Sequence, residues 1–317
     1  MEMNKIYCEN CLDTMARMPD NFIDCCISSP PYWGLRDYGV DGQLGIEEKF
    51  TDFIIGLIQI YTEVKRILKP EGTCFINLGD SYASESKGSG GTHYPDGTPY
   101  KQTTNKGSRY GIKHFDSIFM TKCLLMIPER FAIQMIDLGW ILRNQIIWHK
   151  PNQMPASAKD RFTVDFEKIF FFVKNANGYY FEQQLEPYTK PLDRWGGDKL
   201  VANGESIWDN GTGQTTYRNR NMRPNLEGKN MRTVWSINTE SNEVAHFATY
   251  PESLVVRMVK AGCPEGGIVY DPFTGSGTTL KMAHLLKRNW IGSEISQEYV
   301  DLANKRLDQY LRQQKLF

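Results

Sequence analysis

Short apolar runs alternate with amphipathic stretches along most of the chain. In its first part the strand-like runs lie at 4–10, 22–28 and 73–80, and the stretches with helical spacing lie at 11–18 and 51–68. The longer of these helices is expected to have Thr51 or Asp52 as its N-cap and to stop at residues 69–72. Strands that alternate with helices predict a parallel sheet with right-handed crossovers.

The same alternation returns further along the chain. Helical spacing occurs at 127–138, 251–260, 275–287 and 296–311, and strand-like runs occur at 140–150, 168–174, 267–273 and 290–295. Two polar segments interrupt this α/β pattern. Residues 84–113 are rich in Gly, Ser, Thr and Lys, which predicts a mobile loop. Residues 178–233 contain RNRNMRPNLEGKNMR, in which one acid stands among five basic residues, and we interpret this segment as a separate lobe.

Composition and net charge exclude few classes of function. The chain has 317 residues, 40% of them hydrophobic, and its 37 basic and 37 acidic residues cancel, so any basic surface must be local. The first residues, MEMNKIYCENC, lack an apolar signal core, and no stretch reaches the ~18 apolar residues of a membrane span. These features predict a cytoplasmic protein that does not span a membrane.

The seven cysteines are expected to be reduced, because nothing in the sequence indicates secretion. Cys8 and Cys11 form a C-x-x-C pair, but no second pair completes a zinc site. Cys25 and Cys26 are adjacent in a predicted strand and must point to opposite faces. We therefore expect cysteines that pack in the core, and no metal site.

The strand at 22–27 ends in an unusual sequence, SSPPYWGLRDYG, at residues 28–39. Each proline fixes its own φ and lacks an N–H, so the strand cannot continue through Pro30 and Pro31. The Pro30 carbonyl is therefore expected to lack a ladder partner, and an aromatic ring, Tyr32, follows it. Taken alone, a loop whose aromatic residues pack on the core is the simpler interpretation.

A second strand end carries glycines, in VYDPFTGSGTTL at 269–280. Glycines there let backbone N–H groups approach a ligand, and the start of the following helix favours an anionic group. The segment is not a P-loop, and Leu280 stands where G-x-G-x-x-G needs its third glycine. About twenty residues on, Glu294 ends the next strand, where an acid of an open α/β sheet binds ribose hydroxyls. A solvated carboxylate at a strand end is the alternative.

The segments DPFTGSGTT, WIGSEI and SPPYWGLRDYG together resemble the amino-methyltransferases of DNA, which use S-adenosylmethionine. Because the SPPY turn precedes the FTGSG turn, the motif order is similar to that of the family's permuted beta group. The resemblance implies a seven-stranded Rossmann-like methyltransferase sheet in permuted order with an inserted, irregular DNA-recognition lobe. It implies a catalytic half at 1–175, a target-recognition insert at 176–235 and a cofactor-binding half at 236–317.

The resemblance also implies which residues bind S-adenosylmethionine. In the family the F-x-G-x-G turn holds the methionine part, the acid corresponding to Glu294 holds the ribose, and the strand end at IYCENCLD contacts the adenine, here through Asn10. The segment HFATYPE would hold the methionine carboxylate through Phe247 and Thr249. The turn contributes Asp271, Pro272, Phe273, Gly275, Ser276, Gly277 and Thr278.

The catalytic residues implied by the family are Ser29, Pro30, Pro31 and Tyr32. The Ser29 hydroxyl and the Pro30 carbonyl would accept the two protons of an exocyclic amino group, while Tyr32 stacks on a base flipped out of the duplex. In the family SPPY is associated mostly with cytosine N4 and DPPY with adenine N6. We therefore expect a site-specific cytosine-N4 DNA methyltransferase, with an adenine-N6 enzyme as the first alternative and an RNA or protein methyltransferase as a more distant one.

Two further polar residues, Asn77 and Asp80, end the predicted strand at 73–80 near the Pro-Pro turn. They are candidates for contacts to the edge of the base. A turn formed by Gly-Asp, with no role in binding, is an equal alternative.

The expected partner is double-stranded DNA. The residues predicted to contact its phosphates or guanines are Arg218, Arg220, Arg223 and Arg232. A restriction-modification role would add a cognate restriction endonuclease, and both a monomer and a homodimer are compatible with the sequence.

Overall fold

The computed structural model describes residues 1–35, 39–83, 120–188, 227–240 and 250–313. The chain divides into two compact units. Met1–Glu182 and Thr233–Phe317 form the larger unit, and Gln183–Arg232 form the smaller one.

Ten strands and six helices are formed by these described residues. The strands are β1 (Lys5–Cys8), β2 (Ile23–Ser28), β3 (Leu68–Leu78), β4 (Ile141–His149), β5 (Phe166–Val173), β6 (Leu185–Glu186), β7 (Lys229–Asn230), β8 (Val234–Ser236), β9 (Ile268–Asp271) and β10 (Asn289–Glu294). The helices are α1 (Cys11–Ala16), α2 (Phe50–Ile67), α3 (Ile127–Asp137), α4 (Glu252–Gly262), α5 (Thr278–Leu285) and α6 (Gln297–Gln313).

In the described part of the larger unit, eight strands form one sheet in the order β1-β10-β9-β2-β3-β5-β4-β8. Strand β5 runs antiparallel to both of its neighbours, whereas the other pairs are parallel. Strand β2 lies beside β9, with Cys26 opposite Tyr270, so strands from the two ends of the chain meet at the centre of the sheet. This confirms the Rossmann-like sheet in permuted order. The eighth strand, β8, is a three-residue edge strand that the sequence did not predict.

The centre of the sheet is buried on both faces. All six residues of β2 are buried, including the adjacent Cys25 and Cys26, because helices cover both sides of a parallel sheet. Cys26 belongs to the core that contains Tyr61 of α2. On the other face, Gly262 at the end of α4 lies so close to β3 that a Cβ there would come within 2.4 Å of the Thr73 hydroxyl. This close packing fixes the strands whose ends form the site described below.

Helix α2 begins one residue earlier than the sequence predicts, and neither Thr51 nor Asp52 is its N-cap. The helix starts at Phe50, and Lys49 precedes it without a side-chain cap. Packing determines this start, because Phe50 is buried and its ring meets that of Trp33 edge-on, with centroids 6.0 Å apart. The helix ends at Ile67, before residues 69–72 as predicted, and those residues already belong to β3, which follows directly.

Five of the seven cysteines are buried, and Cys8 and Cys123 are exposed, so the expectation of core packing is wrong for these two. Burial raises the pKa of Cys11 to about 12, which keeps that thiol protonated. The described residues include no group of three or more His, Cys, Asp and Glu side chains arranged to hold a metal ion. None of the helices in the described ranges has the length and apolar character needed to cross a membrane.

Candidate active site

The two turns singled out in the sequence meet at one edge of the sheet. Parallel strands end on the same side, and β2 and β9 are neighbours, so the turn at 29–32 lies beside the turn at 272–276. Both turns line one cavity of about 550 Å³ in the larger unit. Its volume lies within the range of natural ligand sites, roughly 300–1,000 Å³.

Most of the residues assigned to the cofactor line this cavity. They are Asn10, Pro272, Phe273, Gly275, Ser276, Thr278 and Glu294. Asp271 and Gly277 are not among the lining residues of the described structure. Gly277 faces helix α6 instead, because a Cβ at this position would lie 3.0 Å from the Cβ of Ala303. Close packing between α6 and the start of α5 therefore explains this glycine.

Glu294 organises the glycine turn from the neighbouring strand. Its carboxylate accepts the backbone N–H of Gly275 at 2.8 Å and that of Ser296 at 3.0 Å. Burial raises the pKa of Glu294, although these two N–H donors favour the charged form. A carboxylate has about four acceptor positions, so Glu294 can still accept hydrogen bonds from a ligand in the cavity.

Asp271 is buried at the end of β9, where its side chain is hydrogen-bonded to the backbone of the same turn. One of its oxygens accepts the backbone N–H of Phe273 at 3.0 Å, and the other lies 3.5 Å from the Tyr250 hydroxyl. Tyr250 also shares a hydrogen bond with Thr279 of α5. Burial raises the pKa of Asp271 to about 7, with a smaller contribution from the charge of Glu294.

The side chains of Glu9 and Asn10, just after β1, are both hydrogen-bonded to the chain segment that forms helix α1. The Asn10 side-chain oxygen accepts the backbone N–H of Leu12 at 2.9 Å and thereby caps helix α1. The carboxylate of Glu9 is hydrogen-bonded to Thr14 and pairs with Arg17, which lowers its pKa. Both Glu9 and Asn10 line the cavity, but each already has a structural partner on α1.

The proline turn forms the other side of the cavity, where Ser29, Pro30, Pro31 and Tyr32 all contribute to the lining. The side-chain amide of Asn77, at the end of β3, donates to the Tyr32 hydroxyl at 2.8 Å and lies 3.4 Å from the Ser29 hydroxyl. Asn77 is therefore part of the site.

Asp80 has a different position from Asn77. One of its oxygens accepts the backbone N–H groups of Ser81 at 2.8 Å and of Ile127 at 3.0 Å. Asp80 thus holds the start of α3 and is not among the residues that line the cavity. For Asp80, the structure therefore favours the alternative of a residue that shapes the turn and has no contact with the base.

Two charged residues of the site were not found in the sequence. Glu167 accepts the Tyr32 hydroxyl at 2.5 Å and the Asn77 amide at 2.7 Å, and it pairs with Lys150. Both charged residues line the cavity, together with Trp148. Burial, followed by the charge of Glu167, raises the pKa of Tyr32 well above its usual range, so the hydroxyl remains a donor.

Several predicted site residues cannot be placed. Phe247, Thr249, Arg218, Arg220, Arg223 and the loop at 84–113 lie outside the described residues. Arg232 lies in the smaller unit, where its side chain is exposed and donates to Glu186 at 2.7 Å.

The fold and the cavity together define the class of protein. They are those of a Rossmann-like enzyme that binds a nucleoside cofactor beyond the carboxyl ends of its parallel strands. Residues 23–305 match a protein family described as DNA methylase, whose model covers both N6 and N4 enzymes. The chain belongs to this family, whose members are DNA methyltransferases that use S-adenosylmethionine.

Curated relatives cover nearly the whole chain. The type II methyltransferase M.SmaI of Serratia marcescens is 35% identical over 305 residues, which cover 96% of this chain and 90% of that protein. The type II methyltransferase M.Cfr9I of Citrobacter freundii is 36% identical over 298 residues, which cover 93% of this chain and 85% of that protein.

Solved structures share the fold at lower sequence identity. The cytosine-N4-specific PvuII DNA methyltransferase superposes with a TM-score of 0.59 at 18% identity, over 96% of this chain and 86% of that one. A DNA modification methylase of Thermus thermophilus, in complex with S-adenosylmethionine, gives a TM-score of 0.54 at 21% identity, over 96% of this chain and 94% of that one.

Proposed function

We propose that this chain is a site-specific DNA methyltransferase that methylates the exocyclic N4 of a cytosine flipped out of duplex DNA. The observation that carries the proposal is the position of Ser29. Its hydroxyl lines the cavity in an SPPY turn, beside the Asn77 amide and adjacent to the glycine turn. Adenine N6 is the second candidate, because the family contains both kinds of enzyme.

The residues of the glycine turn fit S-adenosylmethionine. Gly275 has φ +51°, and a Cβ there would meet no atom closer than 3.9 Å, so the backbone is open to a ligand. The carboxylate of Glu294 has acceptor positions left for the ribose hydroxyls. When bound, the cofactor supplies an electrophilic methyl group on a sulfonium sulfur. Outside the described residues, Phe247 and Thr249 are proposed to hold its carboxylate.

Ser29 and Pro30 are proposed to prepare the amino nitrogen for attack. Its lone pair is delocalised into the base, and it becomes available as the two amino protons are held out of the plane of the ring. The Ser29 hydroxyl and the Pro30 carbonyl each accept a hydrogen bond from one of the two amino N–H groups. As the new bond forms, positive charge grows on the base, and the two fixed oxygen dipoles stabilise it more than they stabilise the ground state. Tyr32 stacks on the flipped base.

The choice of cytosine rests on the residue type at position 29. A neutral serine stands here where the adenine enzymes of the family usually have an aspartate. The structural neighbour PvuII methyltransferase is described as cytosine-N4-specific, which supports the proposal at the level of the fold.

The domain roles follow the same proposal. Residues 1–175 form the catalytic half, 236–317 the cofactor-binding half and 176–235 the part that reads duplex DNA. In the smaller unit, β6 and β7 pair antiparallel. Arg232 follows β7 by two residues, and its side chain is exposed. Arg218, Arg220 and Arg223 are proposed to add phosphate or guanine contacts. A restriction endonuclease of the same specificity is the proposed biological partner, and a monomer or a homodimer would suit this activity.

The test is to express the chain in a host without DNA methyltransferases of its own and to sequence the DNA with detection of modified bases. We expect N4-methylcytosine at one sequence context, confirmed by nucleoside analysis. N6-methyladenine at one context would establish the second candidate instead. If neither base is modified while a purified sample is folded, the proposal is wrong.

A further inference from the structure

A partly buried pair of opposite charges forms part of the cavity wall, on the side of the proline turn. Lys150 follows β4, and Glu167 is the second residue of β5, so the antiparallel pairing of these strands brings them together. Their side chains are only 13% and 15% exposed. The Lys150 ammonium also lies over the Trp148 ring, 4.4 Å from its centroid.

Both oxygens of the Glu167 carboxylate accept hydrogen bonds from residues of the site. One oxygen accepts the Tyr32 hydroxyl at 2.5 Å and the Asn77 amide at 2.7 Å, and the other accepts Lys150. The Asn77 amide is shared with Tyr32 at 2.8 Å. Three donors from three separate chain segments therefore converge on one carboxylate.

These contacts hold the Tyr32 side chain at its far end, while the fold holds it along its edge. A Cβ at Gly79 would come within 2.6 Å of Tyr32 Cε2, so the ring lies directly against that backbone. The Tyr32 carbonyl accepts the backbone N–H of Leu35 at 3.2 Å. The ring is therefore fixed before any base enters the cavity.

A buried ion pair is by itself weak support for stability, because the loss of hydration offsets the attraction between the charges. The next residue of β5 provides a comparison. Lys168 pairs with Glu129 of α3, with side chains 13% and 24% exposed, and neither residue lines the cavity. Of these two pairs, it is the Lys150–Glu167 pair whose carboxylate accepts from the Tyr32 hydroxyl and the Asn77 amide of the site.

We propose that Glu167 is a positioning residue, held in place by Lys150, that fixes Tyr32 and Asn77 to receive the flipped base. This inference rests on the proposed function and assigns Glu167 to the step in which the base is captured. A fixed ring loses less conformational freedom when a base stacks on it, which favours the flipped state.

The test compares Glu167→Leu, Glu167→Gln, Tyr32→Phe and the control Glu129→Gln on a duplex with the site found by sequencing. We expect Glu167→Leu to slow single-turnover methylation by about 10-fold to 100-fold, the effect of losing hydrogen bonds to a charged group. Glu167→Gln keeps one acceptor oxygen and should recover part of that rate. Glu129→Gln should match the wild type. Cofactor affinity, measured by calorimetry, should be unchanged in all four variants.

Two further measurements separate positioning from a general loss of structure. In the double variant Tyr32→Phe/Glu167→Leu, adding Glu167→Leu to Tyr32→Phe should slow methylation much less than Glu167→Leu does in the wild type. Both substitutions remove the same hydrogen bond between Tyr32 and Glu167. With a fluorescent cytosine analogue such as pyrrolocytosine at the target position, Glu167→Leu should show less fluorescence change on binding than Glu129→Gln. Thermal unfolding of both variants reports any shared loss of stability.

The inference is overturned if Glu167→Leu is as fast as Glu129→Gln, or if the losses of Tyr32→Phe and Glu167→Leu multiply in full. If the wild-type chain methylates neither cytosine nor adenine duplexes, the result bears on the proposed function itself. It overturns the proposed function, and this inference with it.

Discussion

The backbone N–H of Gly275 donates to the Glu294 carboxylate at 2.8 Å, although the two residues lie 19 positions apart at the ends of different strands. This hydrogen bond ties the glycine turn after β9 to the acid that ends β10. The turn therefore does not depend on its own sequence alone. The same carboxylate that is proposed to hold the ribose also shapes the backbone that is proposed to hold the methionine part of the cofactor.

Gly275→Ala should reduce cofactor affinity for a steric reason. The backbone is left-handed here, and the space around an added Cβ is open to the cavity, so a methyl group enters space that the ligand needs. Gly266 is the matched control, because it also has a positive φ and nothing within 4 Å of an added Cβ, but it does not line the cavity.

Both alanine variants should lose about 1–2 kcal/mol of stability from left-handed strain. Only Gly275→Ala should weaken S-adenosylmethionine binding, by about tenfold or more, which corresponds to ~1.4 kcal/mol. Calorimetry measures the affinity, and denaturant unfolding measures the stability. Equal cofactor affinities in the two variants would contradict the assignment of this turn.

Asp271 should make the stability of the cofactor-free protein depend on pH. Burial raises its pKa from 3.8 to about 7, so between these values the folded protein holds a proton that the unfolded chain releases. The free energy of unfolding therefore falls as the pH rises through this window, by up to about 1.4 kcal/mol per pH unit for this group.

Asp271→Asn removes that proton while its side-chain oxygen can still accept the N–H of Phe273. The melting temperature of the variant, relative to that of the wild type, should therefore rise between pH 4 and pH 7. A constant difference between the two proteins over this range would show that Asp271 does not carry the effect.

The two turns can be predicted from the sequence because the residues that mark them are local. Prolines end a strand wherever it lies, and glycines with an acid mark a strand end that approaches a ligand. Once β2 and β9 are assigned to one parallel sheet, the carboxyl-edge rule brings Ser29 and Gly275 to the same cavity. This part of the site depends on residue types and on topology, and both can be inferred from a sequence.

Glu167 and Lys150 could not be found in this way. The apolar run at 168–174 has the same composition in a parallel or an antiparallel strand, and only the antiparallel direction places the start of β5 beside the carboxyl end of β3. The start of α2 could not be predicted from the sequence either, because the packing of Phe50 against Trp33 determines it. Both failures concern contacts between residues that are far apart in the chain.

The four arginines assigned to DNA should control how binding depends on salt. Each phosphate contact contributes about −0.9 to the slope of log affinity against log salt, so replacing Arg218, Arg220, Arg223 and Arg232 by alanine should flatten the slope by about 3.6 if all four contact phosphates. Glu186→Gln is the control, because it removes the acid that pairs with Arg232 and leaves all four cations. Titrations at several salt concentrations measure the slope. An unchanged slope in the fourfold variant would show that the DNA contacts lie elsewhere.

Ser29 offers the most direct test of the chemistry. Ser29→Ala removes one of the two acceptors proposed for the amino protons, so single-turnover methylation should fall by about 10². Cofactor affinity should stay the same, because the glycine turn and Glu294, at the ends of β9 and β10, form a separate part of the cavity lining. A Ser29→Ala enzyme as fast as the wild type would rule out this mechanism.

Ser29→Asp tests whether position 29 helps to select the base. It introduces the acceptor that the adenine enzymes of the family usually have, and it places a negative charge near Asn77 and the Glu167 carboxylate. We expect the ratio of cytosine to adenine methylation to fall, together with a loss of overall rate from repulsion between the carboxylates. Single-turnover rates on duplexes that differ only in the target base give this ratio. If both rates fall by the same factor, position 29 serves the chemistry alone, and the choice of base is made by other residues of the cavity.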